Sequence, residues 1–162
     1  MRVRLSEISL AQVHVRQSTP LSCVAACVCM VRRRRGEPVD EQAILDSWGS
    51  GGPFTLKFHA AELRDRNYPT AIDPLSRSSR GLLRAVLRKG QWVIVSVVPP
   101  PHPGSPHAVV LIRITEDDWF QYLDPAVPAD VQPRAFSEDE LVQQWTGELI
   151  VCEQFHWPAL TG

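Results

Sequence analysis

The stretch Gln17-Ser18-Thr19-Pro20-Leu21-Ser22-Cys23-Val24-Ala25-Ala26-Cys27-Val28-Cys29-Met30-Val31 decides how this chain is read. Thr19 to Ser22 reads as a helix entry, since proline is tolerated in a first turn where its missing N–H has no partner to lose. Every residue from Cys23 to Val31 is apolar, so the helix offers water no polar face. A helix apolar all round is a buried one, and the rest of the chain has to wrap it. Gly36 ends it and Pro38 confirms the stop. The basic run Arg32 to Arg35 falls at its C-terminal end, where cations meet the last carbonyls and the negative end of the helix dipole.

On the N-terminal side, Val13 and Val15 alternate with His14 and Arg16, the pattern of a short strand. On the C-terminal side, Asp40 to Trp48 predicts a second helix and Gly49 to Pro53 a loop. Thr55 caps a third helix through Asn67, and Ser79 to Lys89 is a fourth, with Leu82, Leu83, Val86 and Leu87 at helical spacing. The second half changes character. Trp92 to Val98, His107 to Ile114 and Trp119 to Leu123 are rich in β-branched and aromatic residues and predict strands. The proline-rich run Val98 to Pro106 is the loop between two of them. Ser137-Glu138-Asp139-Glu140 is a capping-box start for a helix to Trp145, and Glu148 to Glu153 is a last strand. Helices first and strands second predict an α+β fold: one domain over residues 1–162, with N-terminal helices packed on an antiparallel sheet.

Composition narrows the functions. The 162 residues are 44% apolar, enough for one core, and the net charge of −1 with 22% charged residues lacks the clustered basic surface of a nucleic-acid binder. Met1 to Val15 has no apolar run of the signal-peptide kind, and no stretch approaches the roughly 18 apolar residues of a membrane span. A cytoplasmic protein with no membrane insertion is expected. Of the four cysteines, Cys23, Cys27 and Cys29 crowd into seven residues. That is a poor disulfide framework, so free thiols are expected. A zinc site from Cys27, Cys29 and Cys152 is disfavoured, because Cys-x-Cys on a helix points its two thiols to different faces. No cofactor is expected.

Thiol chemistry needs a thiolate, a base, a group that orients the base, and donors for an oxyanion. Cys23 opens the buried helix, where backbone N–H groups and the dipole favour an anion. Gln17, six residues earlier, can aim a side-chain N–H at the same point as the Cys23 N–H. His107 opens an apolar strand, held rigidly yet accessible. His14, His59, His102 and His156 have no comparable setting. Asp124, after Leu123 and before Pro125, can accept the Nδ1–H of His107 and leave Nε2 facing the thiol. Each residue has a plainer reading: a structural thiol, a solvated amide, a core histidine, an Asp-Pro turn.

Taken as an ordered set, Gln17 with Cys23, then His107-Ala108-Val109-Val110, then Leu123-Asp124-Pro125 resembles the C39 family of papain-like cysteine peptidases, which cut double-glycine leader peptides. The small-residue helix Ala25-Ala26-Cys27 ending near Gly36, the segment Gly52 to Leu63 and the aromatic-ended helix Glu140 to Trp145 are similar too. The resemblance spans about Gln17 to Val151. It implies a papain-like fold, Cys23 as nucleophile, His107 as base, Asp124 as orienting group and Gln17 as oxyanion donor. It implies a peptide or protein substrate and a separate transporter or biosynthetic partner. The family usually has Asp before the cysteine and Gly after it; here stand Ser22 and Val24, the latter expected to narrow the space beside the thiol. Two other readings share the constellation: a peptide-binding module without the chemistry, and an acyl transferase or deamidase.

Overall fold

The computed structural model of the protein describes residues 10–48, 77–100 and 106–152. The predicted loop at 49–53 and the helix Thr55 to Asn67 lie outside them, as do His59, His102 and His156. Helix α1 spans Leu10–Val13, α2 Cys23–Arg34, α3 Glu41–Trp48 and α4 Arg77–Arg88. Strands β1 Val93–Val97, β2 His107–Ile114, β3 Phe120–Leu123 and β4 Arg134–Phe136 follow, then α5 Glu138–Gln144 and β5 Trp145–Val151. The five strands form one sheet in the order β4-β3-β2-β1-β5, and every described pairing is antiparallel. The expected α+β layout is therefore present.

The buried helix is the organising element. Residues Cys23 through Arg32 of α2 are all buried. The side chains of Cys23 to Val31 form one core cluster with Ala108, Val110 and Ile112 of β2 and with Ile94 and Ile150 of the flanking strands. Side chains alternate along a strand, so Val109 and Leu111 face the other way. There they join Leu83, Val86 and Leu87 of α4 and Leu141 of α5. With both faces covered, β2 reads in the sequence as a continuous apolar run.

Local chemistry sets the ends. The α2 C-terminus closes as a Schellman motif: Glu37 N–H donates to Arg32 O at 3.1 Å and Gly36 N–H to Arg33 O at 2.9 Å, with Gly36 at φ +85°. The Asp40 carboxylate caps α3 through the Ala43 N–H at 2.8 Å. The Ser137–Glu140 capping box forms at α5 as predicted. The arginine run is tied into the fold. Arg32 pairs with Glu37, Arg33 Nε donates to Val39 O at 2.8 Å, and Arg34 donates to Gly90 O and lies 4.3 Å over the Trp92 ring.

Strand β5 begins at Trp145, three residues before the expected Glu148, and two elements differ in kind from the sequence reading. The expected strand at Val13 and Val15 is a short helix, α1, followed by coil, with the His14 N–H bonded to Leu10 O at 2.7 Å. Both valines reach the α2-side core without a strand. Strand β4 was not anticipated. It is a three-residue edge strand directly after Pro133, too short to show a period.

Candidate active site

Cys23 is the first residue of α2. Ser22 stands at the cap position without capping: its hydroxyl accepts from Thr19 N–H and donates to Thr19 O, both at 3.1 Å. The first-turn N–H groups are left to the thiol, and that of Val24 hydrogen-bonds the sulfur. The start of β2 meets the sulfur from the other side, through the His107 ring and the Ala108 N–H. Burial pushes the Cys23 thiol up, but these bonds and the charge on His107 outweigh it, and the thiol lies below its ordinary value.

His107 shows the complementary shift. Burial pulls its pKa down, yet the hydrogen bonds and charges of Asp124 and Cys23 raise it to about 9. The two shifts run in the direction that favours a thiolate beside an imidazolium. Asp124 carries the third charge. Burial raises its carboxyl, and His107, the Ala126 N–H and Arg134 together hold it below the usual value. Its Oδ1 accepts from His107 Nε2 at 2.7 Å and from the Ala126 N–H at 2.8 Å, while Arg134 Nη1 lies 3.8 Å from Oδ2.

The ring is turned opposite to the sequence reading. Nε2, not Nδ1, meets Asp124, which leaves Nδ1 for the thiol. The cause is placement. Asp124 directly follows β3, next to β2 in the sheet, and meets the far end of the ring, while Cys23 reaches the near end.

Gln17 is brought into the same segment as Cys23, but its Nε2 donates to Thr19 O at 2.8 Å, and its Oε1 is buried without a hydrogen-bond partner. Thr19 O also accepts from the Ser22 N–H and hydroxyl, so it stays satisfied without Gln17. The amide can therefore leave at little cost. The segment itself is pinned. Gln17 N–H donates to Pro125 O at 2.8 Å, and Ser18 bonds the buried Glu41 carboxylate. The Val24 side chain is buried in the α2-side core, the same cluster that takes Cys23.

Two supporting side chains escaped the sequence reading. His14, passed over as lacking a rigid setting, is buried and donates from Nε2 to Asp124 O at 3.0 Å. Gln132 grips the same peptide unit from both sides. Its Oε1 accepts from the Asp124 N–H at 3.0 Å, and its Nε2 donates to Asp124 O at 3.1 Å. No sequence period marks either residue, since both act through the backbone of Asp124.

A cavity of about 340 Å³ opens beside the pair, with His107 and Asp124 in its wall and Cys23 outside it. The four cysteines are free thiols. Among the described residues no helix is long and apolar enough to cross a membrane. No family model matches the sequence, and no curated protein is found to be similar to it. The chemistry therefore rests on the residues themselves: a buried thiol of lowered pKa, a proton donor against it and a fixed carboxylate can attack an electrophilic carbonyl and protonate what leaves.

Proposed function

We propose that this protein is a papain-like cysteine peptidase, similar to the C39 leader peptidases, that cleaves a peptide or protein tail. The observation that carries the reading is the line Cys23–His107–Asp124, with Nε2 bonded to the carboxylate and the ring hydrogen-bonded to the thiol. Cys23 Sγ adds to the scissile carbonyl carbon. The Cys23 N–H and the Gln17 side-chain NH₂, turned away from Thr19, hold the oxyanion. The C–N bond breaks as His107 Nδ1 gives its proton to the departing amine, leaving a thioester. Water, deprotonated by His107, then releases the acid and the free thiol. Cys23 is only 6% exposed, which favours slim residues such as glycine at the cut. Unpaired thiols suit a cytoplasmic setting, with a separate transporter or biosynthetic enzyme as partner.

A second reading, a peptide-binding module on the same fold, draws on the Gln17 amide being occupied by Thr19. The test is a peptide-based electrophile that reacts with thiols, applied from pH 6 to 9. The peptidase reading expects labelling at Cys23 that disappears in His107→Ala. Absence of labelling at every pH leaves the binding module. Mass analysis of products with and without an added amine separates hydrolysis from acyl transfer.

A further inference from the structure

Strand β4 stops short of the residue that needs it. Its register with β3 runs Phe120↔Phe136, Gln121↔Ala135 and Tyr122↔Arg134, and two residues further it would set Asp124 opposite Gln132. In an antiparallel ladder alternate pairs exchange two N–H···O bonds. The backbone does not complete such a pair here. Pro133, between the two positions, has no N–H, and the Gln132 N–H is spent on Ala129 O at 3.2 Å, closing a 3-10 turn. The Gln132 side chain supplies both bonds instead. Oε1 accepts from the Asp124 N–H at 3.0 Å and Nε2 donates to Asp124 O at 3.1 Å, with Pro128 O 3.4 Å from the same nitrogen. A side-chain amide carries the donor and the acceptor of a peptide unit, so it can stand in for one.

We propose that Gln132 is a positioning residue for the Cys23–His107 chemistry: its amide takes the place of a strand opposite Asp124 and sets the carboxylate against the far nitrogen of the ring. Asp124 Oδ1 meets His107 Nε2 at 2.7 Å. An aspartate side chain is short, so a tilt of its backbone carries Oδ1 off the ring, and a hydrogen bond weakens steeply as it bends. His14 reaches the Asp124 carbonyl at 3.0 Å, whereas Gln132 spans the carbonyl and the N–H together and so fixes the tilt. The inference rests on the peptidase reading for its effect on rate, and on the Asp124 geometry alone for its effect on the ring.

The test is Gln132→Met, which matches the side chain in length and makes neither bond. Its readouts follow the carboxylate rather than the fold. The proton between His107 Nε2 and Asp124 gives a resonance downfield of the amide envelope, and in the variant this is expected to weaken and move upfield. In peptide turnover kcat is expected to fall about tenfold to a hundredfold, the scale of a displacement approaching 1 Å, with KM within about twofold. The alkaline limb of the rate, which His107 sets at about 9, is expected to move to lower pH. Gln132→Asn keeps the amide but is one methylene short of spanning the pair. It is expected to fall between the parent and the methionine variant, and it decides the matter if the latter does not fold. A lower melting temperature with the ring resonance and the alkaline limb unchanged overturns the proposal, because Gln132 then supports only the fold. Unmodified protein that neither cleaves peptide nor labels at Cys23 brings down the peptidase reading, while the ring resonance still decides whether Gln132 sets the His107–Asp124 pair.

Discussion

Cys23 and Cys27 lie one turn apart on the same helix and differ in opposite directions. The Cys23 thiol is held below its ordinary value, while burial pushes Cys27 well above it. Cys29, farther along, is raised to about 11, again by burial. All three are buried and all sit on α2, so neither burial nor the helix explains the difference. What separates them is the end of the sheet. Only Cys23 is where β2 begins, with an imidazole and two backbone N–H groups turned to its sulfur. One turn deeper a thiol meets Ala, Val and Met and has nothing to stabilise a negative charge. Acidity in this helix is a property of its first turn alone.

The sharpest way to break the contrast is to remove the ring. At pH 7 a thiol of pKa about 11 is ionised in about one molecule in ten thousand. Native Cys29 and Cys27 should therefore resist iodoacetamide while Cys23 reacts. In His107→Ala the Cys23 rate at pH 7 should fall toward theirs, and peptide turnover should drop by about 10²–10⁴, the usual worth of a positioned proton donor. Site-resolved mass spectrometry reads all the thiols at once. Equal labelling of Cys23 and Cys27 in the native protein removes the distinction.

A smaller effect sharpens it. Asp124→Asn keeps an acceptor for His107 Nε2 but removes the charge that helps to hold the ring near 9. The alkaline limb of turnover should move to lower pH, with a loss of rate smaller than in Asp124→Ala. The same pair sets a stability profile. His107 binds its proton more tightly folded than unfolded, so its contribution is complete below about 6.5, the unfolded value, and is lost as pH rises through about 9. Thermal melts of the parent and of His107→Asn should differ most at the acid end of that window and converge above it. The acid limit of the comparison comes from Asp124, whose lowered carboxyl loses its share as pH falls through its folded value.

How much of this was legible in the chain follows from what kind of signal each residue carries. The buried helix, the apolar strand behind His107 and the caps at Asp40 and Ser137 are local patterns, and the structure has them where the sequence places them. The neighbourhood of Cys23, His107 and Asp124 was legible because each sits at an element boundary, where a side chain is both fixed and reachable. The nitrogen that faces the thiol was not, because it depends on whether the carboxylate meets the near or far end of the ring. Nor were His14 and Gln132, which hold Asp124 by its backbone from 110 and 8 residues away. Strand β4 and Arg134 escaped for a related reason: three residues show no period, and the cavity they border exists only once β3 has paired.

The smallest expected effect separates the two inert thiols from each other and shows what burial alone does. Cys29 Sγ donates to Val39 O at 3.3 Å, whereas Cys27 is fully buried and sits among apolar side chains. Serine keeps the donor and is more polar than the thiol it replaces. At position 29 the hydroxyl inherits the Val39 carbonyl, so Cys29→Ser should cost little. At position 27 it finds only the helix's own carbonyls, and a poorly satisfied buried hydroxyl costs about 1–3 kcal/mol. Denaturant melts should therefore rank Cys27→Ser below Cys29→Ser, with iodoacetamide reactivity at Cys23 unchanged in both. If Cys27→Ser instead slows Cys23, the second turn of the helix contributes to the chemistry of the first, and the boundary between the reactive and inert thiols lies deeper than the end of the sheet.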